Sequence, residues 1–138
     1  MTPTLTGRWQ TRLLLLSTVG ALITLVFGYL FSNFVTPFAL LGYVLLLGLL
    51  WDILYNSLQT LRWDRDWPPL FFVAAGIVEG LFLWGLTHFI PLPGVDPDLS
   101  FGKFAVHYGT VFVFILSIML GPLKTVFLKW RFRGGRII

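Results

Sequence analysis

Apolar residues in this chain run in long blocks, with none of the two-residue alternation of a half-buried strand. The 39 residues between Arg12 and Asp52 carry no charge, and two more apolar stretches run from Leu70 to Ile90 and from Phe104 to Leu123. Crossing a hydrocarbon core of ~30 Å takes about 20 mostly apolar residues in a helix. The pattern therefore predicts an all-α fold, an integral membrane four-helix bundle filling a single transmembrane domain over 1–138. The spans fall at 12–31, 37–61, 69–89 and 103–121, with a basic tail over 123–138. Between them lie a short polar turn ending at Pro37, the segment Arg62-Trp63-Asp64-Arg65-Asp66-Trp67-Pro68-Pro69, and a proline-rich acidic loop from Pro91 to Gly102. Gly121-Pro122 should kink or break the last span. No internal repeat is visible.

Composition agrees with that solvent. Hydrophobic residues make up 57% of the chain and charged ones 12%, outside the usual range for a soluble domain. Cysteine is absent, which excludes disulfides, thiolate metal sites and a cysteine nucleophile. The uncharged stretch after Arg12 is too long for a signal-peptide core of ~7–15 residues, so an uncleaved first span is expected.

Charge sets the orientation. Nine of the ten basic residues fall on one side of the four-span arrangement: Arg8, Arg12, Arg62, Arg65, Lys124, Lys129, Arg131, Arg133 and Arg136. Only Lys103 falls on the other. The positive-inside rule then places both termini in the cytoplasm, in a bacterial plasma membrane or an internal membrane. Trp9, Trp63, Trp67 and Trp130 are expected at the same interface. After Pro122, Leu123, Val126, Phe127 and Trp130 recur at helical spacing, flanked by Lys124, Lys129, Arg131 and Arg133. This reads as an interfacial amphipathic helix that anchors topology, with anionic lipid head groups as partners. The excess positive charge is membrane electrostatics, with no nucleic acid implied.

Within the spans, small and polar residues mark the faces along which helices meet. Span one carries Ser17, Ala21, Thr24 and Gly28; span two carries Gly48, Asp52, Tyr55, Asn56 and Gln59. Span three carries Gly76, Glu79, Gly80 and Thr87, and span four carries Lys103, His107, Thr110, Ser117 and Gly121. An acidic residue as deep as Glu79 costs ~2.5–3.5 kcal/mol on insertion scales, so it needs a partner. Asp52, Glu79 and His107, with Tyr55 and Asn56, form a candidate ladder. It is either interhelical glue or a proton or cation path. His88 and His107, on consecutive spans, are also candidate haem ligands, though no supporting motif accompanies them.

The 62–69 loop is the most distinctive short motif. Arg62 and Asp66 have the spacing of an i, i+4 pair if the preceding helix continues. The loop is expected to act as a rigid hairpin or a docking surface, since exposed Trp and Arg favour contacts. No phosphate-binding glycine loop, activated nucleophile or metal-ligand spacing is present, so no catalytic residue, metal or cofactor is assigned. The leading expectation is a non-catalytic accessory, assembly or scaffold subunit of a larger membrane complex. The alternatives are a small homo-oligomeric channel or carrier for protons or cations, and a bis-histidine haem subunit.

Overall fold

A computed structural model describes residues 2–138, and among these every regular element is helical. The chain runs through α1 (Leu5–Leu15), a π-helical turn (Leu16–Gly20), α2 (Ala21–Leu30), α3 (Val35–Leu61), α4 (Pro69–Phe89), α5 (Phe101–Leu120), α6 (Pro122–Val126) and α7 (Leu128–Phe132). Four continuous helical stretches, Leu5–Leu30, Val35–Leu61, Pro69–Phe89 and Phe101–Val126, are long and apolar enough to cross a membrane. Exposed large apolar side chains outnumber buried ones, as suits a surface solvated by lipid tails.

Local chemistry sets the ends. Thr4 caps α1 by accepting from the Gly7 N–H at 3.2 Å, and Ser100 caps α5 by accepting from Lys103 N–H at 3.3 Å. Asn33 Oδ1 accepts from the N–H groups of Val35 and Thr36, which starts α3 one turn after α2 stops. Pro69 occupies the first turn of α4, where its missing donor has no consequence. The helices pack as a closed ring: α2 on α3, α3 on α4, α4 on α5, and α5 back on α2, with α1 against α3. The long loop after α4 is folded inward, since Leu92, Val95 and Leu99 pack on the Leu40–Leu83–Phe104 cluster and Pro93 O accepts from the Tyr43 hydroxyl.

Several sequence expectations need correction. The first helix begins at Leu5, not Arg12, so Arg8 and Arg12 lie within it and do not flank it. The π-helical turn shifts the inward face of this helix. Arg8, Thr11, Leu15 and Leu16 are buried, and past the turn burial continues at Gly20, Thr24 and Phe27. Ser17, assigned to the inward stripe, is consequently exposed and donates to backbone carbonyls of its own helix. Lys103 and Ser117 are exposed as well, so the polar stripe of span four reduces to His107 and its half-buried neighbours.

The tail is not one amphipathic helix. It breaks at Phe127, where φ is −102° and ψ is 80°, so residues before and after it no longer share a face. Leu123 and Trp130 are buried while Val126 and Phe127 are exposed. Gly134 and Gly135 then adopt φ of +62° and +83°, a turn open to glycine without strain, and fold the chain back onto α1. There Gly134 O accepts from Thr4 N–H at 2.7 Å, Gly135 O from the Thr11 hydroxyl at 3.0 Å, and Gln10 Oε1 from Ile137 N–H at 2.9 Å. Trp130, only 1% exposed, donates its indole N–H to Thr11 Oγ1 at 2.7 Å.

Candidate functional site

Among the described residues the two ends of the chain and the 62–68 loop gather at one end of the bundle, through the Thr4–Gly134 and Arg8–Gln59–Arg65 hydrogen bonds. A rise of ~1.5 Å per residue puts Arg12, Asp52 and Glu79 about 10, 13 and 15 Å in from the nearest ends of their helices. Arg12 reaches between the two carboxylates and donates to both. Its Nε and Nη2 meet Asp52 Oδ2 and Oδ1 at 2.9 and 3.0 Å, and its Nη1 and Nη2 meet Glu79 Oε2 and Oε1 at 3.0 and 3.2 Å. A planar guanidinium suits this double fork, which a lysine cannot reproduce. Asp52 and Glu79 are 3% and 9% exposed, so without this cation two neighbouring buried anions would lose their hydrogen-bonded counter-ion.

Glycine makes the approach feasible. A side chain at Gly48, one turn before Asp52, would collide with the Arg12 guanidinium. Gly76 and Gly80 do the same for α5, leaving room on α4 for the rings of Phe112 and Tyr108. The Tyr108 hydroxyl donates to Gly76 O at 2.6 Å and the Tyr55 hydroxyl to Ala75 O at 3.4 Å.

Arg8, one turn before Arg12, is used differently. It is 7% exposed, donates from Nη2 to Gln59 Oε1 at 2.8 Å, and lies 4.6 Å over the Trp67 ring. Gln59 Nε2 in turn donates to Arg65 O at 2.8 Å. The first helix thus holds the 62–68 loop through one amide. Arg8 Nε is buried with no hydrogen-bond partner.

The sequence-assigned residues divide accordingly. Asp52, Tyr55 and Glu79 come together around Arg12, while Asn56 is half-buried and outside the cavity they line. His107 does not extend this group: it is buried against Phe27, with Nε2 3.0 Å from Thr24 Oγ1. His88 is exposed and packs on Trp84. The two histidines therefore have separate neighbours. Trp67 and Trp130 are buried within the protein, and Trp9 donates to Leu49 O. Trp63 alone of the four is fully outward, at 95% exposure.

Arg62 forks onto Asp64, because α3 ends at Leu61 and the i, i+4 helical geometry toward Asp66 never forms. The Arg62 guanidinium holds the Asp64 carboxyl below the usual carboxylate range, and Asp64 raises Arg62 in return. In the tail, Lys129, Arg131, Arg133 and Arg136 are exposed and Lys124 is half-buried.

The residue that sequence reasoning misplaced is Arg12. Its signal was available as charge arithmetic: two acids deep in adjacent spans demand a cation, and Arg12 is the nearest one before the uncharged stretch. The same group lines a partly open cavity of about 130 Å³, with Arg8, Arg12, Asp52, Tyr55, Glu79 and Tyr108 on its polar wall. No family model, curated protein or solved structure matches the chain.

Proposed function

We propose that this protein is a multi-pass, non-catalytic membrane subunit, an accessory, assembly or scaffold component, with both termini and the 62–68 loop in the cytoplasm of a cell or on the equivalent side of an internal membrane. The observation that carries this reading is the use of Arg12 to bind Asp52 and Glu79 at once. Carboxylates engaged in four bonds to a fixed guanidinium serve packing, whereas a conduction path needs them free to exchange a proton or cation. The positive-inside rule supports the orientation through Arg62, Arg65 and the exposed basic tail. The docking surface on this reading is the loop that presents Trp63 between exposed Leu61 and Leu70, since an outward Trp among apolar neighbours is a favoured contact residue.

Purification from the native membrane in mild detergent tests it. The expected result is co-elution with other membrane chains, lost on Trp63→Ala. A single species of this chain alone, recovered under the same conditions, would overturn the proposal. Proton or cation flux in reconstituted vesicles that disappears in Glu79→Gln would replace it with the channel reading.

A further inference from the structure

The ring of helices is not closed evenly along its length. In the half away from the chain ends, α4 and α5 meet closely, Gly80 against Tyr108 and Leu83 and Trp84 against Phe104. Toward the chain ends the cavity lies between them, backed by α1. Its lining on α4 and α5, Phe72, Ala75, Phe112 and Leu116, is half-buried, whereas Arg8, Leu15 and Asp52 behind are buried. The opening is therefore lateral. It reaches Phe72, within one turn of the end of α4 and so next to the head-group layer, where water is plentiful.

The back wall decides what fills this space. Arg12, Asp52 and Glu79 line it, and their side chains keep 18%, 5% and 10% of their surface accessible. Arg12 supplies two hydrogen bonds to each carboxylate, whereas an ionised carboxylate has about four acceptor sites. The Tyr55 and Tyr108 hydroxyls, also on the lining, donate to backbone carbonyls and still accept. A lipid tail against this wall would leave charged surface without hydrogen bonds, which is strongly unfavourable. Water supplies donors and acceptors together, and the volume of about 130 Å³ is several times the ~10–15 Å³ that one molecule requires. The inner end is sealed. Past Glu79 and Tyr108 stand Leu40, Leu83 and Phe104, all buried, with Leu92, Val95 and Leu99 of the long loop packed on them. From the lateral opening, the ionised wall and the apolar seal together, we infer that the cavity is a blind, water-filled crevice that brings water from the chain-end side to the Arg12 triad and no further. The triad is thereby hydrated from one side of the membrane, with no path across. This holds with or without a partner chain.

The chain has no cysteine, so one introduced thiol reports one position. The probe is the silver ion, which seeks thiols and travels through water but not through lipid tails. It is applied to the full chain in lipid nanodiscs, which expose both faces, and a thiol that it has taken no longer reacts with a maleimide dye. Ala75→Cys, on the crevice wall, should be taken about tenfold or more faster than Ala74→Cys, its exposed neighbour outside the cavity and within ~1.5 Å of the same depth. Leu116→Cys, on the α5 wall, should match Ala75→Cys and serves if that variant does not fold. Leu83→Cys, in the seal, should be as slow as Ala74→Cys. In the background Arg12→Leu/Asp52→Leu/Glu79→Leu the advantage of Ala75→Cys should vanish, since an apolar wall holds no water. Equal rates at Ala75→Cys and Ala74→Cys would overturn the inference in favour of lipid in the crevice. Fast reaction at Leu83→Cys would replace the blind crevice with a path across, and an advantage that survives loss of the triad would refute the role of the charged wall.

Discussion

Replacing Arg12 with methionine keeps most of the stem that packs between the helices and removes the cation that Asp52 and Glu79 share. Four N–H···O bonds of 2.9 to 3.2 Å disappear, and two buried carboxylates are left with each other. Removing one partner from a buried ion pair costs about 3–5 kcal/mol, against ~0–1 kcal/mol for an exposed one. At ~1.4 kcal/mol per factor of ten, the folded-to-unfolded ratio should fall by roughly a hundred-fold to a few thousand-fold. The whole penalty lies in the orphaned anions, so the triple variant Arg12→Met/Asp52→Leu/Glu79→Met should recover to within about 2 kcal/mol of the parent. The assay is reversible unfolding in mixed micelles of increasing sodium dodecyl sulfate fraction, followed by helical circular dichroism. An Arg12→Met protein within ~1 kcal/mol of the parent would place the triad in the surface class. A triple variant as unstable as the single one would show that the penalty is lost packing and not stranded charge.

Three further outcomes follow from the same geometry. Trp130→Ala removes a fully buried ring and the Thr11 hydrogen bond, and should lower stability by about 3–5 kcal/mol in the same assay; a change below ~1 kcal/mol would mean the tail does not hold α1. Gly48→Val forces the Arg12 guanidinium aside and should cost about 1–3 kcal/mol, most of it absent when Arg12 is already methionine. The Asp64 carboxyl has a lowered pKa in the folded loop, so its contribution is complete at neutral pH and fades as pH falls below the usual carboxylate range and through the lowered value. The emission of neighbouring Trp63 should shift over that acid interval in the parent and stay flat in Asp64→Asn.

The helices and much of the interior were legible from pattern because membrane spans need long apolar blocks and polar groups there need partners. The expected bounds of α4, 69–89, coincide with Pro69–Phe89, where Pro68-Pro69 and Pro91 punctuate both ends. Asp52, Tyr55 and Glu79 were recognisable as an inward group for the same reason. Arg12 escaped because a basic residue at the edge of an apolar block is ordinarily a topology signal, and its depth depends on where the helix starts. That start is set by Thr4, whose cap is a single weak hydrogen bond with no periodic signature. The π-helical turn at Leu16–Gly20 was also out of reach, since it changes only the phase of the inward face. The tail misled in the opposite way: its spacing was amphipathic, yet a backbone break at Phe127 and the Gly134-Gly135 turn convert it into a strap across α1.

The Arg12 triad also sets an order of events during synthesis. Arg12 leaves the ribosome 40 residues ahead of Asp52 and 67 ahead of Glu79, and Thr11 precedes Trp130 by 119. At ~5–20 residues per second, several seconds separate the first helix from its second carboxylate. Through that interval Arg12 has no carboxylate partner, and an unpaired guanidinium is costly in hydrocarbon, so full-depth seating of this helix requires α3 and α4. It sinks to its final depth only when α3 and α4 arrive, and the strap then locks it from behind. On this order the Leu5–Leu30 helix is seated only after α4 has been made.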